Sequence, residues 1–150
     1  MAVQVNSNIT TVPFIRFSYP STSRTNSIIA QDALRTTDLA PYTIMAKIAA
    51  SQKWVPFTDE TATDGSAIPQ GIYIGSAIAS ADIVAGDVED VEILESGAIY
   101  DINQVVIENS KTLDTVITVG TTDLKTVRDH LACRNIHDDD TVDITEYENA

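Results

Sequence analysis

Three side chains that zinc accepts lie close together in the chain: His130, Cys133 and His137. At spacings of i, i+3 and i+7 a helix would place them on one face, and imidazole with thiolate suits zinc. His137, however, falls at or past the expected helix end, and no fourth ligand stands at useful spacing. The reading is therefore a half-buried Cys133 with surface histidines. Asp138, Asp139 and Asp140 with Asp143 raise calcium, but the run lacks the alternating ligands and mid-loop glycine of an EF-hand. It reads as a solvated acidic tail over 138–150. No Gly-rich run precedes Lys-Ser or Lys-Thr, no Gly-x-Ser-x-Gly is present, and two histidines leave little material for a Ser-His-Asp set. The expectation is no catalytic residue, no metal and no cofactor: not an enzyme.

The composition narrows the class further. The chain has 150 residues, 43% of them apolar and 21% charged, which suits one domain with a real core. Its net charge of −13 repels phosphate backbones, so nucleic acid is not an expected partner. A lone Cys133 permits no internal disulfide, which fits folding in a reducing cytoplasm. Residues 1–11 lack the basic start and apolar run of an export signal, and 65–81 is broken by Pro69 and by turn residues. No membrane segment is expected, and the protein reads as soluble. Charge is unevenly spread: residues 1–54 hold five basic and two acidic side chains, and the remainder holds four basic and twenty acidic. Such asymmetry suits two parts that meet different surroundings, or simply a solvated acidic face.

The elements that would carry such a surface are short strands. Tyr42, Ile44, Ala46 and Ile48 alternate; Lys53 to Phe57 and Gly71 to Gly75 read as strands; Thr61 to Gly65 is a turn. Val88 to Leu94 reads as a strand closed by a Ser96-Gly97 turn, with one or two more over 99–107 and a last at Val116–Val119. Between these, 109–115 reads as a polar loop. The expected core is Ile44, Ile48, Trp54, Ile72, Ile74, Val91, Ile93 and Ile99. One helix is expected over about 122–135, capped by Thr121 or Thr122, with Leu124, Val127 and Leu131 at helical spacing and Asn135 closing it. Val142, Ile144 and Tyr147 leave a strand open in the tail.

Residues 1–40 read as an extended polar arm: 14 of them are Ser, Thr or Asn and none is Gly. Within the arm, Pro13 to Pro20 is a β-prone run carrying Phe14, Phe17 and Tyr19, three of the nine aromatics. It either folds back onto its own domain or adds a strand to a partner's sheet; both satisfy its backbone.

The run from residue 41 to 107 resembles the head decoration proteins of tailed bacteriophages, the lambda type and its relatives. The resemblance rests on Ala40-Pro-Tyr-Thr-Ile-Met-Ala-Lys47, Lys53-Trp-Val-Pro-Phe57, Thr63-Asp-Gly-Ser-Ala67 followed by Gly71-Ile72, and Val91 to Ile99. It implies a mainly β, tulip-like small barrel or sandwich over 41–137, with one helix in the C-terminal half and an N-terminal arm over 1–40. It implies a homotrimer on the outer capsid surface of a virion, assembled in the host cytoplasm. There it would cement the major capsid protein of the expanded head against internal DNA pressure. It also implies that the arm orders on the capsid, which makes Phe14, Ile15, Arg16, Phe17 and Tyr19 the expected capsid-binding residues. The longer region after Asn109 and the acidic tail depart from the pattern. The alternative is a β-rich receptor- or glycan-binding surface module. A third reading, a small metal-dependent enzyme, would require metal retained through purification.

Overall fold

The structure is a computed structural model that describes residues 13–120 and 125–140. Its strands are β1 (Ile15–Ile29), β2 (Ile44–Lys47), β3 (Trp54–Pro56), β4 (Pro69–Tyr73), β5 (Val88–Tyr100) and β6 (Ile136–Asp138). Two short helices, α1 (Ser80–Ala85) and α2 (Val127–Ala132), complete the set. The sheet order is β1-β3-β2-β4-β5-β6, and a further β1–β5 pairing closes the first five strands into a barrel, with β6 outside on β5. The protein is mainly β, as its alternating runs predict.

Side-chain parity divides the interior in two. Ile29, Met45, Trp54, Tyr73, Val91 and Ile93 come one or two from each barrel strand and pack together, with Leu39 and Ile83 closing one end. On the opposite parity, Ile44, Ile72, Leu94, Ala98 and Tyr100 pack against Val127 and Leu131 of α2, Ile136 of β6, and Leu113 and Ile117 of the intervening loop. Successive strand residues point to opposite faces, so an alternation that leaves both faces apolar demands a covering layer as well as a filled barrel. Of the expected core, Ile44, Trp54, Ile72, Val91, Ile93 and Ile99 are buried, and Ile48 and Ile74 are half-buried.

Gly71 marks the tightest point of the wall. A Cβ there would lie 2.7 Å from the Leu94 carbonyl oxygen and 3.0 Å from the Trp54 ring, so only glycine lets β4 lie this close to β5. Gly65, at φ 101°, allows the 61–65 turn to press against the backbone of Lys47 and Ala49.

Several expectations need correction. The Ser96-Gly97 pair is not a reversal: β5 runs through it, with Gly97 at φ 77° and register shifts against β1 on either side. Glycine inside a strand marks a bulge as readily as a turn, and bulges let a 13-residue strand bend round a small barrel. Only Ile99 and Tyr100 of the 99–107 run belong to a strand. Val116 forms an isolated bridge to Thr126. The expected first strand starts at Ile44 because Tyr42 sits at φ 69°. The helix is shorter than 122–135, and its cap is Thr126; Thr121, Thr122 and Leu124 lie outside the described residues. α1 was not expected, since six residues carry too little periodicity to read.

The largest correction concerns the arm. Over Ile15–Ile29 it is a stave, so of the two alternatives for the 13–20 run the structure has the one that folds back: β1 pairs with β5 from Ile15↔Tyr100 to Ile29↔Val88, and Ile29 meets Trp54 of β3 in parallel. Folding back covers an edge of β5 that would otherwise stand open. Nor is 138–150 a tail from its first residue, because Asp138 ends β6.

Ile72→Ala is expected to lower stability by about 2–5 kcal/mol. Gly71→Ala should cost about 1–3 kcal/mol through overpacking, although it adds a methyl group. Urea unfolding of the two variants checks both, and an unchanged midpoint in either refutes the corresponding packing.

Candidate functional site

The residues expected to bind a capsid lie where β1 begins. Phe14 is buried and stacks on Tyr42, with ring centroids 4.0 Å apart and planes 8° from parallel; Tyr100 follows at 5.7 Å. The Phe14 carbonyl accepts the Asp101 N–H at 2.8 Å. Ile15 packs against the same cluster. Arg16 donates from Nη1 to Asp139 Oδ2 at 2.9 Å. Arg16 thus has an acidic partner within its own chain. Phe17 pairs in register with Ile99; its side chain, and that of Tyr19, lie outside the described part.

The aspartates after His137 serve a similar clamp. Asp138 is fully buried and accepts the Arg128 Nε–H at 2.8 Å, while Arg128 Nη1 also pairs with Asp114. Asp139 accepts both Arg16 and the Ile102 N–H, the latter at 3.0 Å. Together they tie β6 to α2, to β1 and to the chain leaving β5. Burial pushes the nearby Tyr100 phenol far above its ordinary value, with Asp138 adding and Arg128 opposing.

The zinc-compatible trio does not converge. α2 ends at Ala132, and Asn135 at φ 59° turns the chain into β6, so the helical spacing stops before His137. His137 Nε2 meets Asn135 at 3.1 Å, and the exposed Cys133 lies 3.9 Å from Lys125 Nζ. Among the described residues no three His, Cys, Asp or Glu side chains gather as a cation site. No helix among them is long and apolar enough to cross a membrane.

No family model, curated protein or solved structure matches this chain. The candidate surface is therefore argued from its own geometry.

The feature that sequence reasoning missed is the loop joining β1 to β2. Leu34 at its tip is 89% exposed, far beyond the 38% of Ile28 and Val116, the other exposed large hydrophobics among the described residues. The loop is nonetheless tightly held. Gln31 N–H donates to Asp87 at 2.8 Å, Asp32 N–H to the Ile83 carbonyl at 3.1 Å, and Leu34 N–H to Asp32 Oδ1 at 3.0 Å. Arg35, nearly buried, forks onto Glu108 and donates from Nε to the Thr37 carbonyl. Beneath the loop lies a cavity of about 330 Å³, walled by Ile29, Leu39, Val55 and Ile83, with Asp32 and Asp64 among its polar lining. The signal in the sequence was one leucine with no other large apolar residue at strand or helix spacing.

Arg128→Ala would take a cationic partner from the fully buried Asp138. It is expected to cost about 3 kcal/mol, the lower end for a broken buried pair because Arg128 keeps some exposure. Asp138→Asn in the same background should recover part of that loss in urea unfolding.

A pH dependence follows from α2. Burial, with Lys125 adding and Asp129 opposing, holds His130 below its ordinary 6.5, and its shielded Nε2 has no hydrogen-bond partner. The unfolded chain then takes up the proton first, so stability is full above about pH 6.5 and falls as pH drops through the folded value. Asp129 has the same sign at lower pH, held below 3.8 by the Thr126 N–H and hydroxyl of the helix cap. Urea midpoints should fall between about pH 8 and pH 5. His130→Gln should flatten that slope, and a flat wild-type profile would refute the assignment.

Proposed function

We propose that this protein is a capsid decoration protein of a tailed phage. It would bind as a homotrimer to the outer surface of the expanded head and cement the major capsid protein there. The observation that carries the reading is where the family-like stretches fall. The stretches around 40–47, 53–57, 63–72 and 91–99 contribute to β2, β3, β4 and β5, four of the five staves of one closed barrel. The motif glycines sit where the fold needs them: Gly65 presses a turn onto β2, and Gly71 permits the close approach of β4 to β5. The resemblance thus follows a structural frame rather than scattered composition.

Function on this reading is mechanical. A barrel closed through its own hydrogen bonds leaves few open edges and resists deformation, which suits a clamp between shell subunits. Attachment through Phe14, Ile15, Arg16, Phe17 and Tyr19 would require the Phe14–Tyr42 stack and the Arg16–Asp139 pair to open first. A chain at −13 also favours self-association through apolar patches kept apart from its acidic faces.

The test is co-sedimentation of the purified protein with expanded, undecorated heads. The expected result is saturable binding of trimers to expanded heads and none to unexpanded ones. Failure to bind expanded heads, with retention on a glycan array, would replace the reading by the surface-module alternative. Deleting residues 2–24 removes most of the β1–β5 pairing, so the truncated chain is expected to lose its cooperative thermal transition. A truncated protein that still melts cooperatively would show that the first part of β1 is a dispensable arm.

A further inference from the structure

We propose that the 30–38 loop and the cavity beneath it form a docking site for a basic segment of a partner protein: Leu34 enters an apolar socket on the partner, and a partner lysine or arginine side chain enters the cavity. The inference deepens the capsid reading and rests on it only for the partner's identity.

Two independent features point the same way. A fully projecting leucine on a mobile loop would be ordinary surface, but this loop is fixed at Gln31 to Asp87, at Asp32 to Ile83 of α1 and at Arg35 to Glu108, and the Leu34 N–H is held within the loop by Asp32. A pre-organised apolar side chain loses little freedom on association, which is what makes such residues effective anchors. The cavity adjoins the same loop and is of ligand-binding size at about 330 Å³. Its apolar wall of Ile29, Leu39, Val55 and Ile83 suits an aliphatic stem.

Charge chooses the occupant. Arg35 lines the cavity too, but its guanidinium is committed to Glu108. Asp32 and Asp64, both exposed, have no cationic partner among the described residues, so the lining carries two unpaired carboxylates beside its apolar residues. The Ser66 hydroxyl and N–H hold the Asp64 carboxyl below its ordinary value, so it stays ionised. That combination complements an alkylammonium or alkylguanidinium group and repels a carboxylate. It also disfavours a second copy meeting this face with the same face, since acid would then meet acid.

The cavity can be tested on the full chain without any capsid. Titrating hexylammonium into isotopically labelled protein should shift the amides of 30–34 and 64–66, while hexanoate should leave them in place. Asp32→Asn and Asp64→Asn, tested separately, should each weaken hexylammonium about 10-fold or more. Asparagine at 32 keeps the Oδ1 that accepts the Leu34 N–H, so the loop is retained. Leu34→Ser, which removes no internal contact of consequence, should weaken binding to expanded heads about 10-fold or more. The proposal is overturned if hexylammonium causes no shift, if hexanoate shifts the same amides equally, or if Leu34→Ser binds heads as tightly as wild type. If wild type binds no heads while hexylammonium still selects the cavity, the capsid reading fails and the basic-partner site stands.

Discussion

Five strands make a barrel only when the first and last staves meet, and here those staves are β1 and β5. β5 is hydrogen-bonded to β1 along one edge, and to β4 and then β6 along the other. This 13-residue strand thereby has neighbours on both edges, and it directly positions β1, β4 and β6. α1 and Leu39 close the end of the barrel where β5 begins. α2, β6 and the 105–119 segment cover the outer face that Leu94, Ala98 and Tyr100 would otherwise expose. The register shifts along β1–β5 are part of the same constraint, because a long strand must kink to stay paired round so narrow a cylinder.

The ionic contacts act where this frame would fray. Arg16–Asp139 fastens the start of β1 to the residue that follows β6, and Arg128–Asp138 fastens α2 to β6 itself. The first joins segments 123 residues apart and the second joins neighbours in the chain. Asp138 is fully buried, so losing Arg128 would leave its carboxylate poorly compensated out of reach of water. What reads in sequence as a patch of surplus acid is therefore partly a set of fasteners.

Local signals in the sequence disclosed local facts. The Ile44/Ala46 alternation, Trp54 beside Pro56, and the Asp64-Gly65 turn each carry their instruction within a few residues, and the corresponding strands and turn were legible. What stayed illegible depends on partners far away in the chain. Nothing near Gly97 says whether the chain reverses or bulges; β1 on one side and β6 on the other decide it. Nothing near Pro13 to Pro20 says whose sheet the run joins. Asp138 and Asp139 look like their exposed neighbours until Arg128 and Arg16 arrive. Leu34 escaped for the opposite reason, since an isolated leucine in a polar loop carries no periodicity to notice.

The β1–β5 closure also has a consequence in time. The segment that becomes β1 leaves the ribosome long before its partner, since Ile15 meets Tyr100 about 85 positions later. At roughly 5–20 residues per second, β1 waits on the order of 4–17 seconds for β5 to be made. During that interval its backbone is unpaired, and loop closure over so many residues is among the slower steps available to a small domain. Closure is thus a late event of synthesis, and a nascent chain of the same kind could offer its own β5 first. The seam that makes the finished barrel rigid is also the place where neighbouring chains on one message are most apt to exchange strands.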